Sequence, residues 1–300
     1  MKQSRLIREI RANTDKYILM LPFTVLFFTF ILLPVLSSIF LSFTDFNMIQ
    51  EVSFSGWSNY MRLFLDDEIF PVAVRNTLLF ALITGPISYL LCLILAWMIN
   101  EFGKTMRTVL TFVFYAPSIS GTLFTVWAYI FSGDSNGLIN NVLMQIGIIY
   151  EPILWLSDTR YMMTVIIIVQ LWASLGTSFL AFIAGLQGVD HSLYEAGAID
   201  GVRTRFQELR FITLPSMGPQ LMFAAVMQIG ASFGVSGICV ALAGNPSTDN
   251  AAATIVTHLS DMGTARYEMG YAAAIATLLF ITMLLVNSGI KKLLRKFTNI

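Results

Sequence analysis

Residues Tyr17–Thr44 read YILMLPFTVLFFTFILLPVLSSIFLSFT, a run of 28 residues without Asp, Glu, Lys or Arg. Because an α-helix rises 1.5 Å per residue, about 20 residues are enough to cross a hydrocarbon core of roughly 30 Å. A charge at the middle of a bilayer costs about 2.5–3.5 kcal/mol even on the most lenient scale. The run therefore predicts a membrane-spanning helix, and it is too long for the apolar region of a cleaved signal peptide, so we expect a retained anchor.

Five further charge-free runs share this property, and each has at least 22 residues: Asn76–Asn100, Thr108–Gly133, Tyr161–Val189, Phe211–Thr248 and Met269–Ile290. The chain is 56% hydrophobic and 12% charged, whereas a typical soluble domain is about one quarter charged. These observations predict an all-α polytopic membrane protein with about six transmembrane helices. The formal net charge of zero gives no indication of nucleic-acid binding.

Lys and Arg are distributed unevenly among the segments that connect the runs. Fourteen of the 18 lie before the first run, in alternate connections, or after the last run, and the other four are Arg62, Arg75, Arg160 and Arg266. Because cationic residues accumulate on the cytoplasmic side of a membrane, both termini are expected in the cytoplasm. The expected divisions are a cytoplasmic tail (1–16), a first transmembrane helix (17–44), an outer loop (45–75), a transmembrane core (76–290) and a cytoplasmic tail (291–300).

Two local patterns refine this picture. The apolar piece Leu138–Tyr150 is too short to span a bilayer, so an interfacial helix is expected there. Prolines fall inside the first three runs, at Pro22, Pro34, Pro86 and Pro117. Each removes a backbone donor, so these helices are expected to bend.

The connection between the fourth and fifth runs is longer and more polar than a turn requires. Within Gln187–Arg210, Ser192 and Glu195 have the S-x-x-E spacing of a capping box, which predicts that a helix begins at Ser192. Gly201 is expected to end this helix, since glycine tolerates a left-handed cap. Pro215 is expected in the first turn of the fifth span.

Part of this connection resembles a known family. The pattern Glu195-Ala196-Gly197, then Gly201, then Ile212-Thr213-Leu214-Pro215 is similar to the EAA loop of permease subunits of ABC importers. More narrowly, it resembles carbohydrate-uptake permeases of the maltose transporter MalF type. The loop departs from that pattern twice: Gly197 stands where a second alanine is usual, and one additional residue separates Gly201 from Ile212.

The resemblance extends over most of residues 56–290. The stretches that carry it are Gly56, Asn59-Tyr60, Asn76-Thr77-Leu78, Gly137-Leu138-Ile139-Asn140 and Met269-Gly270-Tyr271-Ala272-Ala273-Ala274. It implies the transmembrane-domain fold of a type I ABC importer in a bacterial or archaeal cytoplasmic (inner) membrane. It also implies a heterodimer with a second, MalG-like permease, two ATP-binding-cassette subunits, and an extracellular or periplasmic solute-binding protein.

In that family the loop, here residues 187–215, docks on the ATPase. The resemblance therefore assigns coupling to Tyr194, Glu195, Ala196, Gly197, Ala198, Asp200 and Gly201. ATP and Mg²⁺ are expected on the partner ATPase and no cofactor on this chain, which lacks a G-x-x-x-x-G-K-[ST] phosphate loop. For Glu195, a bond to the ATPase and a role in the capping box are compatible alternatives.

Polar residues inside the runs are candidates for the substrate pathway, because an unpaired polar group in hydrocarbon is unfavourable. The primary candidates are Trp172, Thr177, Gln228, Ser232 and Ser236, in the fourth and fifth runs. The alternative is that such side chains bond across packed helices.

Two other classes of protein compete with the permease interpretation. Gly234-Val235-Ser236-Gly237 matches the G-x-S-G of rhomboid intramembrane proteases, but the last run contains no histidine to act as the base. An ion-coupled secondary transporter or channel usually holds ionisable residues inside its spans, and the six runs hold no Asp, Glu, Lys or Arg. The sequence therefore favours a transport subunit that is not itself an enzyme and is powered from outside the membrane.

Overall fold

A computed structural model of the protein describes residues 12–120 and 123–298, with the backbone alone at residues 123 and 295–298. The cationic residues Arg5, Arg8 and Arg11 of the expected N-terminal tail lie outside this part of the chain. The described residues form helices joined by turns, and the isolated bridge between Thr44 and Phe54 is the one β-type pairing among them. The expected all-α class is confirmed.

Within the described residues, five helical segments are long and apolar enough to cross a membrane by themselves. They are α1 (Thr14–Leu41), α3 (Ile69–Asn100), α7–α8 (Thr159–Ala173 and Thr177–Gln187), α11–α12 (Gly218–Phe233 and Gly237–Ala243) and α14 (Met269–Thr298). The expected tail at 291–300 thus continues the last helix as far as Thr298.

The shorter elements lie between these spans. They are α2 (Ser58–Leu65), α4 (Lys104–Ile119), α5 (Leu123–Ile130), α6 (Leu138–Gln145), α9 (His191–Ile199), α10 (Arg205–Glu208, a π turn Leu209–Thr213, and Leu214–Ser216), a 3₁₀ turn (Thr248–Asn250), and α13 (Ile255–Ser260 with a π turn Asp261–Ala265). A helix is present where the interfacial helix was expected, and it ends at Gln145, five residues before the expected end at Tyr150.

The third charge-free run is not one straight helix. It is divided between α4 and α5, whose axes differ by 85° across a short break. The expectation of a single bent span is therefore corrected to a broken pair, and the described residues hold five apolar segments, or up to six spans if this pair is one span. Pro117 lies in the last turn of α4, where the missing backbone donor weakens the helix just before it ends.

The described residues divide into two compact units, one formed by residues up to 65 together with 262–277, and the other by residues 66–261 together with those after 277. In the first unit, Asn59 Nδ2 donates to the backbone carbonyls of Ser42 at 2.9 Å and Thr44 at 2.8 Å. The Gly270 N–H donates to the Phe46 carbonyl at 2.8 Å, and a Cβ at position 270 would overlap the carbonyl oxygen of Thr44. Asn59 and Gly270, which carry part of the family resemblance, thus have a structural role.

Helix α3 is the central element of the second unit. Its buried residues recur every three or four positions, so they form one stripe along the helix. Most are small or hydroxylated: Phe70, Ala73, Thr77, Phe80, Ala81, Thr84, Ser88, Cys92, Ala96 and Ile99. Small side chains let neighbouring helices approach closely, and α8 and α11 pack on this stripe.

Candidate functional site

Helix α9 begins at a different cap from the expected one. Asp190, not Ser192, is the N-cap residue, and its carboxylate accepts a hydrogen bond from the Ser192 N–H at 3.0 Å. This bond lowers the pKa of Asp190 below its usual value. The predicted Ser192–Glu195 capping box is therefore wrong: an Asp two residues earlier is at least as good a cap, and it starts the helix sooner.

The C-terminus of α9 agrees with the sequence prediction. Gly201 has φ +93°, and its N–H donates to the Ala198 carbonyl at 3.3 Å while the Val202 N–H donates to the Gly197 carbonyl at 2.9 Å. These two bonds form a Schellman motif, which requires a left-handed residue at position 201. The chain therefore reverses direction there, toward α10.

Helix α10 supplies the surface on which α9 rests. It opens with a capping box in which Thr204 and Gln207 bond to each other's backbone N–H groups. It then widens into the π turn, where the Leu214 N–H bonds to the Leu209 carbonyl. Pro215 lies at the end of α10, not in the first turn of the fifth span as expected, because the helix breaks at Met217 and α11 starts afresh with Pro219.

Two contacts join α9 to α10. The Tyr194 hydroxyl lies 2.9 Å from Thr213 Oγ1. A Cβ added to Gly197 would lie 2.5 Å from Ile212 Cδ1, so the two helices approach most closely at a residue without a side chain. Both departures of the loop from the EAA pattern lie at this contact. The π turn accommodates the additional residue between Gly201 and Ile212, and the missing side chain of Gly197 leaves space for the side chain of Ile212.

The opposite face of α9 is exposed. The side chains of Glu195 and Asp200 make no hydrogen bond or ion pair with any described residue, and Ala196 and Ala198 lie between them. Ile199 is 87% exposed, so nearly all of its apolar side chain is available to a partner. Sequence reasoning did not single out Ile199, although an isoleucine in a polar loop helix was the available signal.

The ion pairs around α10 are exposed and contribute little to stability. Arg205 pairs with Glu208 at 2.8 Å and with Glu101 at 3.3 Å. The hydrogen bond to Glu208, followed by the charge of Glu101, raises the pKa of Arg205. Among described residues these contacts connect α10 to the end of α3.

The structure separates the pathway candidates into two sets. Gln228 and Ser232 are buried between α11 and α3: Gln228 Nε2 lies 3.5 Å from Cys92 Sγ, and Ser232 Oγ lies 3.3 Å from Thr84 Oγ1. These bonds match the alternative of bonding between helices. Thr177 is exposed, and Ser236 is half-buried at the start of α12.

Trp172 lines a cavity of about 430 Å³ among α3, α4 and α7. Its indole makes a T-shaped contact with Trp127, with centroids 5.3 Å apart. The other lining residues are Leu91, Leu95, Val113, Phe114, Pro117, Leu171 and Leu175. These apolar walls offer few partners for sugar hydroxyls, so the cavity by itself is not a sugar site.

Of the two histidines in the chain, His258 is nearer in sequence to Ser236. His258 is buried in α13, and its Nε2 lies 2.8 Å from Asp67 Oδ2. Its side chain is 1% exposed. Among the described residues His258 is bonded to Asp67 and makes no hydrogen bond to Ser236, so the structure shows no base in contact with that serine.

Comparison with known proteins supplies a context for this geometry. A family model described as "Binding-protein-dependent transport system inner membrane component" matches residues 88–298. The arabinooligosaccharides transport system permease protein AraP of Bacillus subtilis (strain 168) is 31% identical over 273 residues, covering 90% of this chain and 85% of that protein. The lactose transport system permease protein LacF of Rhizobium radiobacter is 32% identical over 217 residues, covering 71% of each chain.

A solved structure matches over almost the whole chain. It is a bacterial alginate ABC transporter in complex with an alginate pentasaccharide-bound periplasmic protein, with a TM-score of 0.76 and 25% sequence identity, and the match covers 98% of both chains.

Proposed function

The chain belongs to the family of binding-protein-dependent transport system inner membrane components, and from this premise we infer that it is the carbohydrate-uptake permease of an ABC importer. The resemblance drawn from the EAA loop is thereby confirmed. The protein is a multi-pass membrane protein and a transport subunit. It forms half of the membrane pathway for a sugar, an oligosaccharide or a related solute delivered by an external binding protein.

The carbohydrate class follows from the relatives. AraP and LacF are named for arabinooligosaccharides and lactose, and a solved structure that this chain matches is that of a transporter involved in the import of alginate. All three are sugars or chains of sugars. This chain accordingly takes a mono- or oligosaccharide, or a solute of similar polarity.

The observation that carries the coupling role is the exposed face of α9. The helix is fixed at both ends, by Asp190 and by Gly201, and its back is packed on α10. Its front presents Glu195, Ala196 and Ile199 to the surroundings. A short, rigid helix of small residues fits a groove on the surface of a partner ATPase. ATP and Mg²⁺ are bound by that ATPase and not by this chain.

The complete importer has further partners. This permease pairs with a second, MalG-like permease, and two ATP-binding-cassette subunits bind from the cytoplasm. The distribution of Lys and Arg supports a cytoplasmic location for both termini and for the loop at 187–215. The solute-binding protein docks on the other side of the bilayer.

Co-purification tests this function. The tagged chain should be recovered with a second six-span permease and an ATPase in fixed stoichiometry, and the assembly should take up sugar in proteoliposomes only with ATP and binding protein. Recovery of the chain alone, or uptake driven by an ion gradient, contradicts the proposal. Ser236→Ala provides a check on the protease alternative, because loss of a proteolytic activity in this variant would favour the protease, whereas continued ATP-dependent uptake would exclude it.

A further inference from the structure

Thr213 occupies an unusual position in the coupling loop. It is 3% exposed and closes the π turn of α10. Its Oγ1 donates to the Glu208 carbonyl at 3.2 Å, which spans the turn from end to end. Because a threonine hydroxyl carries one proton, the Tyr194 hydroxyl is then the donor to Thr213 Oγ1.

Tyr194 and Gly197 lie three positions apart, so they share one face of α9. Tyr194 bonds to Thr213, and Gly197 receives Ile212 against its backbone. The two contacts therefore join α9 to consecutive residues of the π turn. Two points of attachment resist both sliding and rotation of α9 on α10, whereas one would act as a pivot.

The attachment continues into the transmembrane core. Tyr194, Ile212 and Leu214 pack against the buried cluster that unites α3, α8 and α11. Met217 belongs to this cluster, is fully buried, and is the single residue between α10 and α11. These contacts connect α9 through residues 212–214 to the start of the fifth span.

We propose that Thr213 is a positioning residue for transport: its buried hydrogen bond with Tyr194 locks α9 to α10 and so transmits the movement of the docked helix into α11. The proposal rests on the proposed function, since it assumes that an ATPase docks on α9. It assigns to Thr213 no contact with solute or nucleotide.

The test is the number of sugar molecules taken up per ATP hydrolysed by the complete reconstituted importer. Thr213→Val removes the hydroxyl and keeps the shape of the side chain. The ratio is expected to fall by about fivefold, the factor associated with one neutral hydrogen bond, while ATP hydrolysis persists. Thr213→Ser should restore the ratio, because serine keeps the hydroxyl.

Tyr194→Phe tests the same hydrogen bond from its other partner, because it removes only the half-buried Tyr194 hydroxyl. This variant replaces Thr213→Val in the test if Thr213→Val does not fold. The double variant should be no worse than Thr213→Val alone, because Thr213→Val already removes the bond to Tyr194. Ser216→Ala is the matched control: its hydroxyl donates to the Ile212 carbonyl within α10 and does not reach α9.

An unchanged ratio in both single variants overturns the proposal, and so does an equal fall in Ser216→Ala. A reduced number of assembled complexes with a normal ratio also overturns it, since that result indicates stability alone. If the wild-type complex itself shows no ATP-driven uptake, the proposed function fails, and that outcome is distinguishable because it precedes any variant.

Discussion

The loop at 187–216 and the segment at 244–260 lie on either side of the fifth span along the chain, and they use polar groups in opposite ways. The backbone of the 244–260 segment is bonded to side chains of α3. Asn76 donates to three carbonyls of the segment, and the Ile255 N–H of the segment donates to Thr77. In the 187–216 loop, Glu195 and Asp200 are exposed without partners among described residues.

This difference separates structural from functional polarity. Polar groups that the chain satisfies internally hold a segment in place, and their loss is expected to reduce stability. Polar and apolar groups left exposed on a helix that is fixed from behind are available to a partner. Substitutions in the first region should therefore change unfolding, and substitutions on the front of α9 should change assembly.

The largest effect is expected for Asn76→Ala. Its side-chain amide bonds to the carbonyls of Ala253 at 2.9 Å, Ala251 at 3.1 Å and Asn250 at 3.4 Å. Losing these bonds should lower the free energy of unfolding by about 2–3 kcal/mol, measured by thermal unfolding in detergent. Asn141→Ala, at an exposed asparagine, is the control and should change it by less than about 0.5 kcal/mol. An equal loss of unfolding free energy in the two variants would contradict the structural role of the Asn76 bonds.

The next largest effect is expected for Gly201→Val. The residue has φ +93° with no atom near its missing Cβ, so the cost is backbone strain without a clash, about 1–2 kcal/mol. We expect an inserted subunit with ATP hydrolysis uncoupled from uptake. Gly147→Val imposes a similar strain at φ +74°, also in open space, and should leave uptake intact. Wild-type uptake by Gly201→Val would contradict the coupling role.

Ile199→Ser should weaken assembly without weakening the subunit. Because Ile199 is 87% exposed, its replacement changes little within the chain. If the side chain is buried against an ATPase, the affinity should fall by about tenfold, measured by titrating the purified ATPase onto the permease. Ile148→Ser, at an exposed isoleucine outside the loop, should bind as wild type does.

Glu195→Gln tests the alternatives for this residue directly. The capping role is excluded by the Asp190 cap, so the thermal stability of the subunit should not change. An exposed ion pair with the ATPase contributes about 0.2–1 kcal/mol, so binding should weaken by a few-fold at low salt and less at high salt. A loss of stability instead of binding would return Glu195 to a structural role.

The smallest effect is the pH dependence of the α9 cap. The folded-state pKa of Asp190 lies below its usual value of 3.8, so its stabilising contribution is fully present above that value and is lost as pH falls through the folded pKa. Amide hydrogen exchange in α9, corrected for intrinsic rates, should therefore be constant from neutral pH to pH ~5 and increase below pH ~4. In Asp190→Asn the cap remains but the pH dependence disappears.

Much of the fold was predictable from charge-free runs, because each span must independently avoid charge at the bilayer centre. The break of the third run was not, since Pro117 alone does not distinguish a bend from an interruption. The bonds from Asn76 to residues 250–253 connect parts of the chain about 175 residues apart, and a single sequence contains no record of such pairings.

The candidate site was predictable at its end but not at its beginning. Gly201 has few competitors as a left-handed cap, whereas Asp190 and Ser192 are both good N-caps and the sequence does not decide between them. The π turn at 209–213 was missed because it depends on how α10 packs against α9. Ile212 and Thr213 gain their roles only from that packing.

The π turn also bears on how this loop varies among related proteins. A five-residue turn absorbs one residue without rotating the helix that follows, so a single-codon deletion at 209–213 would convert it to a regular turn and leave the orientation of α11 unchanged. The same deletion inside α11 would rotate every later side chain of that span by about 100°. Insertions and deletions in the evolution of this family should therefore concentrate at 209–213 and be rare one turn later.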